Sequence, residues 1–177
     1  MHIKKIIGDK CYLSPIDLED TNIYLEWLNC EDVYKYLLVG TSVLTYETEK
    51  EALIRLSKEH VYGIIDKETD TLIGNVGLMS LNHIHKTAEV GIFIGNQAYW
   101  GKGYGTEALR LLVDFAFRIL GLENIMLKTY DYNVRAQKSY KKVGFKVMGV
   151  RRSSHYYNNE RHDDIYMDIV KEDFYRQ

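Results

Sequence analysis

The sequence predicts an α+β fold in which helices cover both faces of a mostly antiparallel sheet. Three observations carry that expectation. The stretch TEALRLLVDFAFRILG has apolar residues at spacings of three and four, the period of a helix. VYGIIDKETDTLIGNVGLMSL has two β-rich runs flanking a polar segment, Asp66 to Thr71, the signature of a hairpin. The elements also run in the order helices, antiparallel meander, helix, strand, helix, hairpin. With 177 residues, 46% of them hydrophobic, the chain can bury one sizeable core, so residues 1–177 are expected to form a single domain.

Taken in order, a short strand is expected at Cys11 to Ser14, then two short helices between Ile16 and about Leu38, with Asp17 as the first cap. A third helix, charged on one side, is expected from Glu47 to Lys58. The hairpin from His60 is followed by AEVGIFIGNQ, a strand with Val90, Ile92 and Ile94 on one face and Phe93 on the other, which completes a three-strand meander. In the long helix the inward stripe reads Ala108, Leu111, Leu112, Phe115, Ala116 and Ile119, and Gly121 stops it. NIMLKTY is a strand and NVRAQKSYKKVG a helix closed by Gly144. Two final strands turn near Asn158 and Asn159.

Composition narrows the function. A net charge of -2 supplies no positive field for nucleic acid or an anionic membrane surface. Two cysteines nineteen positions apart, Cys11 and Cys30, with no histidine at ligand spacing, read as buried thiols and point to neither a disulfide framework nor a metal site. The N-terminus lacks an apolar leader run, and nowhere do eighteen apolar residues follow one another, so a cytoplasmic location is expected. The fifteen tyrosines, spread along the chain, read as half-buried rings at the edge of a core.

The chemistry concentrates in YWGKGYGTEALRLL. Gly101, Gly103 and Gly105 precede the strongest helix, where backbone N–H groups turned inward, with the helix dipole behind them, can hold a pyrophosphate; Lys102 can add a charge. A Walker loop is excluded because Gly103 follows Lys102 where Ser or Thr is required. A dinucleotide fingerprint fits poorly, since Asp114, near the required spacing, lies inside the helix, Glu123 is the other acidic residue near it, and the preceding strand belongs to an antiparallel meander. The second constellation is Asn133 to Phe145, in which Asn133, Ala136, Tyr140 and Val143 share one helical face. From the residues alone, Tyr140 is either packed against the sheet or functional.

These two segments together resemble the GNAT N-acetyltransferase superfamily, in its branch of ribosomal-protein N-terminal and polyamine acetyltransferases. The most specific residues are Gly101-Lys102-Gly103-Tyr104-Gly105-Thr106 and Asn133 with Arg135-Ala136 through Tyr140 to Gly144-Phe145. Arg161 to Met167, with Glu172, resembles the branch's closing strand. Trp100 departs from the pattern, which more often has Arg or Gln at the head of the loop. The resemblance implies the GNAT acyltransferase fold, with about seven strands, and acetyl-CoA as cosubstrate without a metal. It also implies transfer to an amine, a small molecule or a protein N-terminus. The pyrophosphate would sit on the amides of Gly101 to Thr106. The pantetheine would lie along Ile92, Phe93 and Ile94, between strands splayed by a bulge at Gly91 to Gly95, and beside Asn133, Ala136, Ser139 and Trp100. Tyr140 would be the general acid. Glu89 is the candidate base, with His83 and His85 as alternatives, and Glu26, Glu31, Asp32 and Tyr34 are candidates for attracting a cationic acceptor. A non-catalytic acyl-CoA-binding sensor and a homodimer remain open.

Overall fold

The computed structural model describes residues 2–37 and 42–176. Its eight strands are β1 (Ile6–Ile7), β2 (Cys11–Pro15), β3 (Val61–Asp66), β4 (Leu72–Asn82), β5 (Thr87–Ile94), β6 (Asn124–Tyr130), β7 (Lys146–Tyr157) and β8 (Glu160–Val170). They form one sheet in the order β1-β2-β3-β4-β5-β6-β8-β7. All pairs are antiparallel except β5 with β6. The helices are α1 (Thr21–Leu28), α2 (Glu31–Tyr34), α3 (Tyr46–Leu56), α4 (Tyr104–Arg118), α5 (Val134–Val143) and α6 (Lys171–Tyr175). β1 and α6 were not expected from the sequence, and both are very short. The expected end of the second helix at Leu38 lies outside the described residues.

Local chemistry accounts for most boundaries. Asp17 accepts from the Glu19 amide and opens a 3-10 turn, as expected of a cap. Thr45 and Thr48 form a reciprocal capping box at the start of α3. Gly144, at φ 111°, ends α5 in the left-handed conformation that favours glycine. Asn158 and Asn159 both take positive φ between β7 and β8, the pattern of a two-residue hairpin turn.

Both faces of the sheet are covered. On one, α1 and α3 pack through Tyr24, Leu53, Trp27 and Leu56 onto Tyr12, Val61, Ile65, Leu72 and Phe93. On the other, α4 and α5 bury Leu109, Leu112, Ala116, Phe117 and Val143 against Ile64, Ile73, Val76, Val90 and Leu127. The period-2 alternation of β5 divides its side chains as expected, with Phe93 joining the first cluster and Val90, Ile92 and Ile94 the second. The inward stripe of α4 differs from the expectation: Ala108, Leu109, Leu112, Val113, Ala116 and Phe117 are buried, whereas Leu111 and Phe115 sit at its margin. Ile119 is 55% exposed because the helix has ended at Arg118. Of the two cysteines, Cys11 is buried and Cys30 only half-buried.

Candidate active site

The site begins where β5 and β6 part. Their parallel ladder runs only through Thr87–Asn124, Ala88–Ile125 and Glu89–Met126. Beyond it, β6 continues along β8 and β5 along β4, leaving a wedge. No bulge lies at Gly91 to Gly95: the β4–β5 register is unbroken from Gly74–Ile94 to Met79–Glu89, and the irregularity falls between Met79 and Asn82. Divergence of two well-formed strands, rather than a bulge within that stretch, opens the gap. The Gly95 amide donates to Ile73, which fixes the phase of the antiparallel ladder. By alternation, Glu89, Gly91 and Phe93 turn their peptide groups toward β4, while Val90, Ile92 and Ile94 turn theirs into the wedge.

At the outer end of the wedge, β5, α4 and β6 make a parallel crossover, an arrangement not expected from the sequence. The glycine turn therefore lies at the carboxyl end of β5 and the amino end of α4, where anions bind. Gly101 (φ 73°) and Gly103 (φ 90°) hold the left-handed conformation, and Gly103 caps α4 with no side-chain acceptor on its first amides. Among the described residues, no hydrogen bond engages the amides of Gly101 to Thr106. The Lys102 carbonyl accepts from Lys10 Nζ at 2.9 Å, which ties the turn to β2. The Tyr104 side chain faces away from the wedge and donates to Asp66 at 2.9 Å, so only its backbone is available there.

Trp100 replaces the polar residue expected at the head of the loop with a different contact. Its indole N–H donates to the Ile94 carbonyl at 2.7 Å, and the Arg135 guanidinium lies 3.8 Å from its ring centre. The wedge-facing edge of β5 is thus covered at Ile94 and open at Val90 and Ile92.

The cavity running through this wedge has a volume of about 790 Å³. Glu89, Ile92, Phe93, Ile94, Trp100, Gly101, Gly103, Gly105, Thr106, Asn133, Ala136, Ser139 and Tyr140 all line it; Lys102 and Tyr104 do not. Asn133 caps α5 by accepting from the Ala136 amide, which aims the helix and its next turns at the wedge. Tyr140 packs its ring in the core with Phe145, while its hydroxyl makes no hydrogen bond among the described residues. Burial pushes that hydroxyl up to about 12, so it stays protonated through the working range of an enzyme. A buried, protonated phenol without a hydrogen bond among the described residues thus belongs to a residue of the cavity wall.

The acceptor-side expectations fare differently. Glu26, Glu31 and Asp32 are exposed and line no part of the cavity; nor does Tyr34. Glu31 accepts from Tyr157 and Asp32 pairs with Lys35 at 2.7 Å. Helical phase is the reason: α2 turns Val33 inward, and Leu28, Tyr36 and Leu37 form the wall instead. His83 and His85 are exposed in the β4–β5 turn, away from the cavity. Glu89 is half-buried on the wall.

Sequence reading missed Glu49. It is 5% exposed and lines the cavity from α3. The available signal was its place on the stripe Glu49, Leu53, Leu56, an acidic residue at a position that should be apolar. Burial raises its carboxyl from the ordinary 4.5 to about 7. A carboxyl raised in the folded state costs stability as pH rises from 4.5 through 7. Glu49→Gln should therefore melt above the parent by at least about 2 °C at pH 8, with the difference vanishing near pH 4, as thermal melts across pH would show. The tyrosines, too, are less dispersed than the sequence suggests. Tyr130 and Tyr132 stack with each other and with His155, and Tyr157 and Tyr36 both stack on Tyr132, fastening the β7–β8 hairpin to the segment after α2.

Among the described residues no helix is long and apolar enough to cross a membrane, and no cluster of three or more His, Cys, Asp or Glu is placed to hold a metal. The model of the acetyltransferase (GNAT) domain matches residues 10–146. Spermidine N(1)-acetyltransferase of Escherichia coli K12 is 28% identical over 170 residues, covering 92% of this chain and 87% of that one. The N-acetyltransferase p20 of Bacillus licheniformis is 28% identical over 155 residues, covering 85% and 86%. Among solved structures, a spermidine N-acetyltransferase from Vibrio cholerae in complex with CoA and spermine shares the fold with a TM-score of 0.85 at 23% identity, covering 95% of this chain and 99% of that one. With the wedge, the free amide turn and the matched domain all in one chain, this protein belongs to the GNAT acetyltransferase family.

Proposed function

We propose that this protein transfers an acetyl group from acetyl-CoA to a primary amine by direct attack in a ternary complex. The observation that carries the reading is the continuity of one cavity from Gly101, Gly103, Gly105 and Thr106, in a turn whose amides are unengaged among the described residues, along the open edge of β5, to Tyr140. The residues present fit the cosubstrate. The glycine turn offers amides for a pyrophosphate, and the peptide groups of Val90 and Ile92 offer a strand edge for an extended amide-bearing arm. The cosubstrate supplies an acyl group activated as a thioester.

The chain's own residues then have separate tasks. A wedge-facing amide of β5 donates to the carbonyl oxygen as charge develops there. Glu89, half-buried on the wall, takes a proton from the incoming ammonium, because an amine attacks only when neutral. As the N–C bond forms and the C–S bond breaks, the electron pair leaves on sulfur and the Tyr140 hydroxyl supplies it with a proton; the nitrogen sheds its remaining extra proton to solvent to become the amide, and the Tyr140 oxygen regains a proton from solvent. The spermidine-acetylating relative supports an amine acceptor of small size.

Two measurements test this. Acetyl-CoA at a hundred times its Kd should stabilise the fold by about 2.7 kcal/mol, or roughly 5–10 °C at this chain length. Thiol release should then require an amine, in a panel of spermidine, aminoglycosides, amino sugars and peptides with different N-terminal residues. No thermal shift would overturn the cosubstrate assignment. A shift without release from any amine would leave a binding protein in place of an enzyme.

A further inference from the structure

The wall of the cavity on the α1–α3 side holds a carboxyl that the mechanism above does not use. Glu49 stands 95% buried on α3, inside an otherwise apolar stripe, and makes neither a hydrogen bond nor an ion pair with any described residue. Arg55, Lys128, Arg135, Lys138 and Lys142 also line the cavity, yet none pairs with it. Lys128 is committed to Asp164 and Arg135 to Trp100. A buried, unpaired carboxyl is costly to a fold and persists where something outside the chain compensates it.

The sheet below forms the floor of the cavity there. Gly77 on β4 and Gly91 on β5 are directly opposed, and both line the cavity. Val61 packs over Gly77 and Met79 over Gly91, so these side chains form the cavity floor here together with Asn75, Glu89 and Phe93; Asn75, Met79, Glu89 and Phe93 share that face by the period of the strands. Glu89 and Glu49, the carboxylates that line the cavity among the described residues, thus lie on one side of the sheet, one on β5 and one on the covering helix.

We infer that Glu49 seats a second ammonium of the acceptor, making this protein selective for diamines and polyamines in which one amine reacts beside Glu89 while another is held at α3. This rests on the acetyl-transfer reading and names its substrate class. On this face the cavity floor includes Val61, Gly77, Met79, Gly91 and Phe93, and this apolar lining suits a methylene spacer between two charges.

The test compares 1,4-diaminobutane and spermidine with n-butylamine, in the parent protein, Glu49→Gln and Glu49→Asp. The parent should favour the di- and polyamines by tenfold or more in kcat/KM. In Glu49→Gln that ratio should fall by at least tenfold through a rise in KM for the multiply charged acceptors, and Glu49→Asp should recover part of it. An unchanged ratio in folded Glu49→Gln would overturn the inference. So would an equal loss of kcat for all three amines, because that result makes Glu49 a proton acceptor for the reaction itself. If no amine supports thiol release, the acetyl-transfer reading fails separately. Calorimetric titration of spermidine into the CoA-saturated protein then decides this inference, which stands if Glu49→Gln weakens binding at least tenfold and falls if Kd is unchanged.

Discussion

Replacing Tyr140 by Phe should lower kcat by about a hundredfold, the scale of a single positioned acid or base, while KM for acetyl-CoA changes less than about threefold. The separation follows from what the side chain touches. Its ring lies in the core with Val143 and Phe145, and phenylalanine keeps those contacts. Its hydroxyl makes no hydrogen bond among the described residues, so the substitution breaks none of theirs and should leave the melting temperature nearly unchanged. The loss is confined to the proton that the departing thiolate would receive. Since burial holds the hydroxyl up at about 12, the parent should show no alkaline decline from Tyr140 below about pH 10, and the rising limb should report the loss of a proton from the amine or its base. Steady-state kinetics across pH, with thermal melts on both proteins, would check this. Unchanged turnover would make Tyr140 a packing residue.

Gly103→Val should weaken acetyl-CoA binding by at least about a hundredfold. At φ 90° a β-branched residue is strained in a conformation that costs it on the order of 1–3 kcal/mol. The turn would relieve that strain by rotating its amides out of the wedge. Gly105 provides the contrast. It has ordinary helical geometry, and a Cβ there meets Ile94 at 3.6 Å, an ordinary contact distance. Gly105→Ala should thus cost little in folding and weaken binding only to the extent that its methyl occupies the cavity, whereas Gly105→Val should push branches against Ile92 and Ile94. Calorimetric titration of CoA into the three variants would order them Gly105→Ala, Gly105→Val, Gly103→Val by increasing loss. Retained affinity in both valine variants would remove the phosphates from this turn.

The sequence by itself determined most of the local elements and brought out the glycine turn and the Tyr140 helix that line the cavity, because both are written in short-range signals. Helical period, the Gly144 stop and the Asn158–Asn159 turn each depend on neighbours within a few residues, and the structure keeps them, while Asn133, read as part of the helical face, stands just outside α5 as its cap. The glycine turn and Tyr140 were legible for the same reason, since each is presented by the helix it opens or rides on. The opposite wall of the cavity was not legible, because it is assembled from α1, α3, β4, β5 and the segment around α2, whose mutual placement no local pattern specifies. Glu26, Glu31, Asp32 and Tyr34 sit near the right region of the chain, yet helical phase turns them away from the cavity. Glu49 reads as one more charge on a charged helix until the packing of α3 onto the sheet brings it inward. The parallel pairing of β5 with β6 was likewise hidden: a strand's residues encode which face is buried, but the neighbour on its other edge is chosen by the crossover of α4. Tertiary packing alone decided where the two strands part, and that parting makes the cavity.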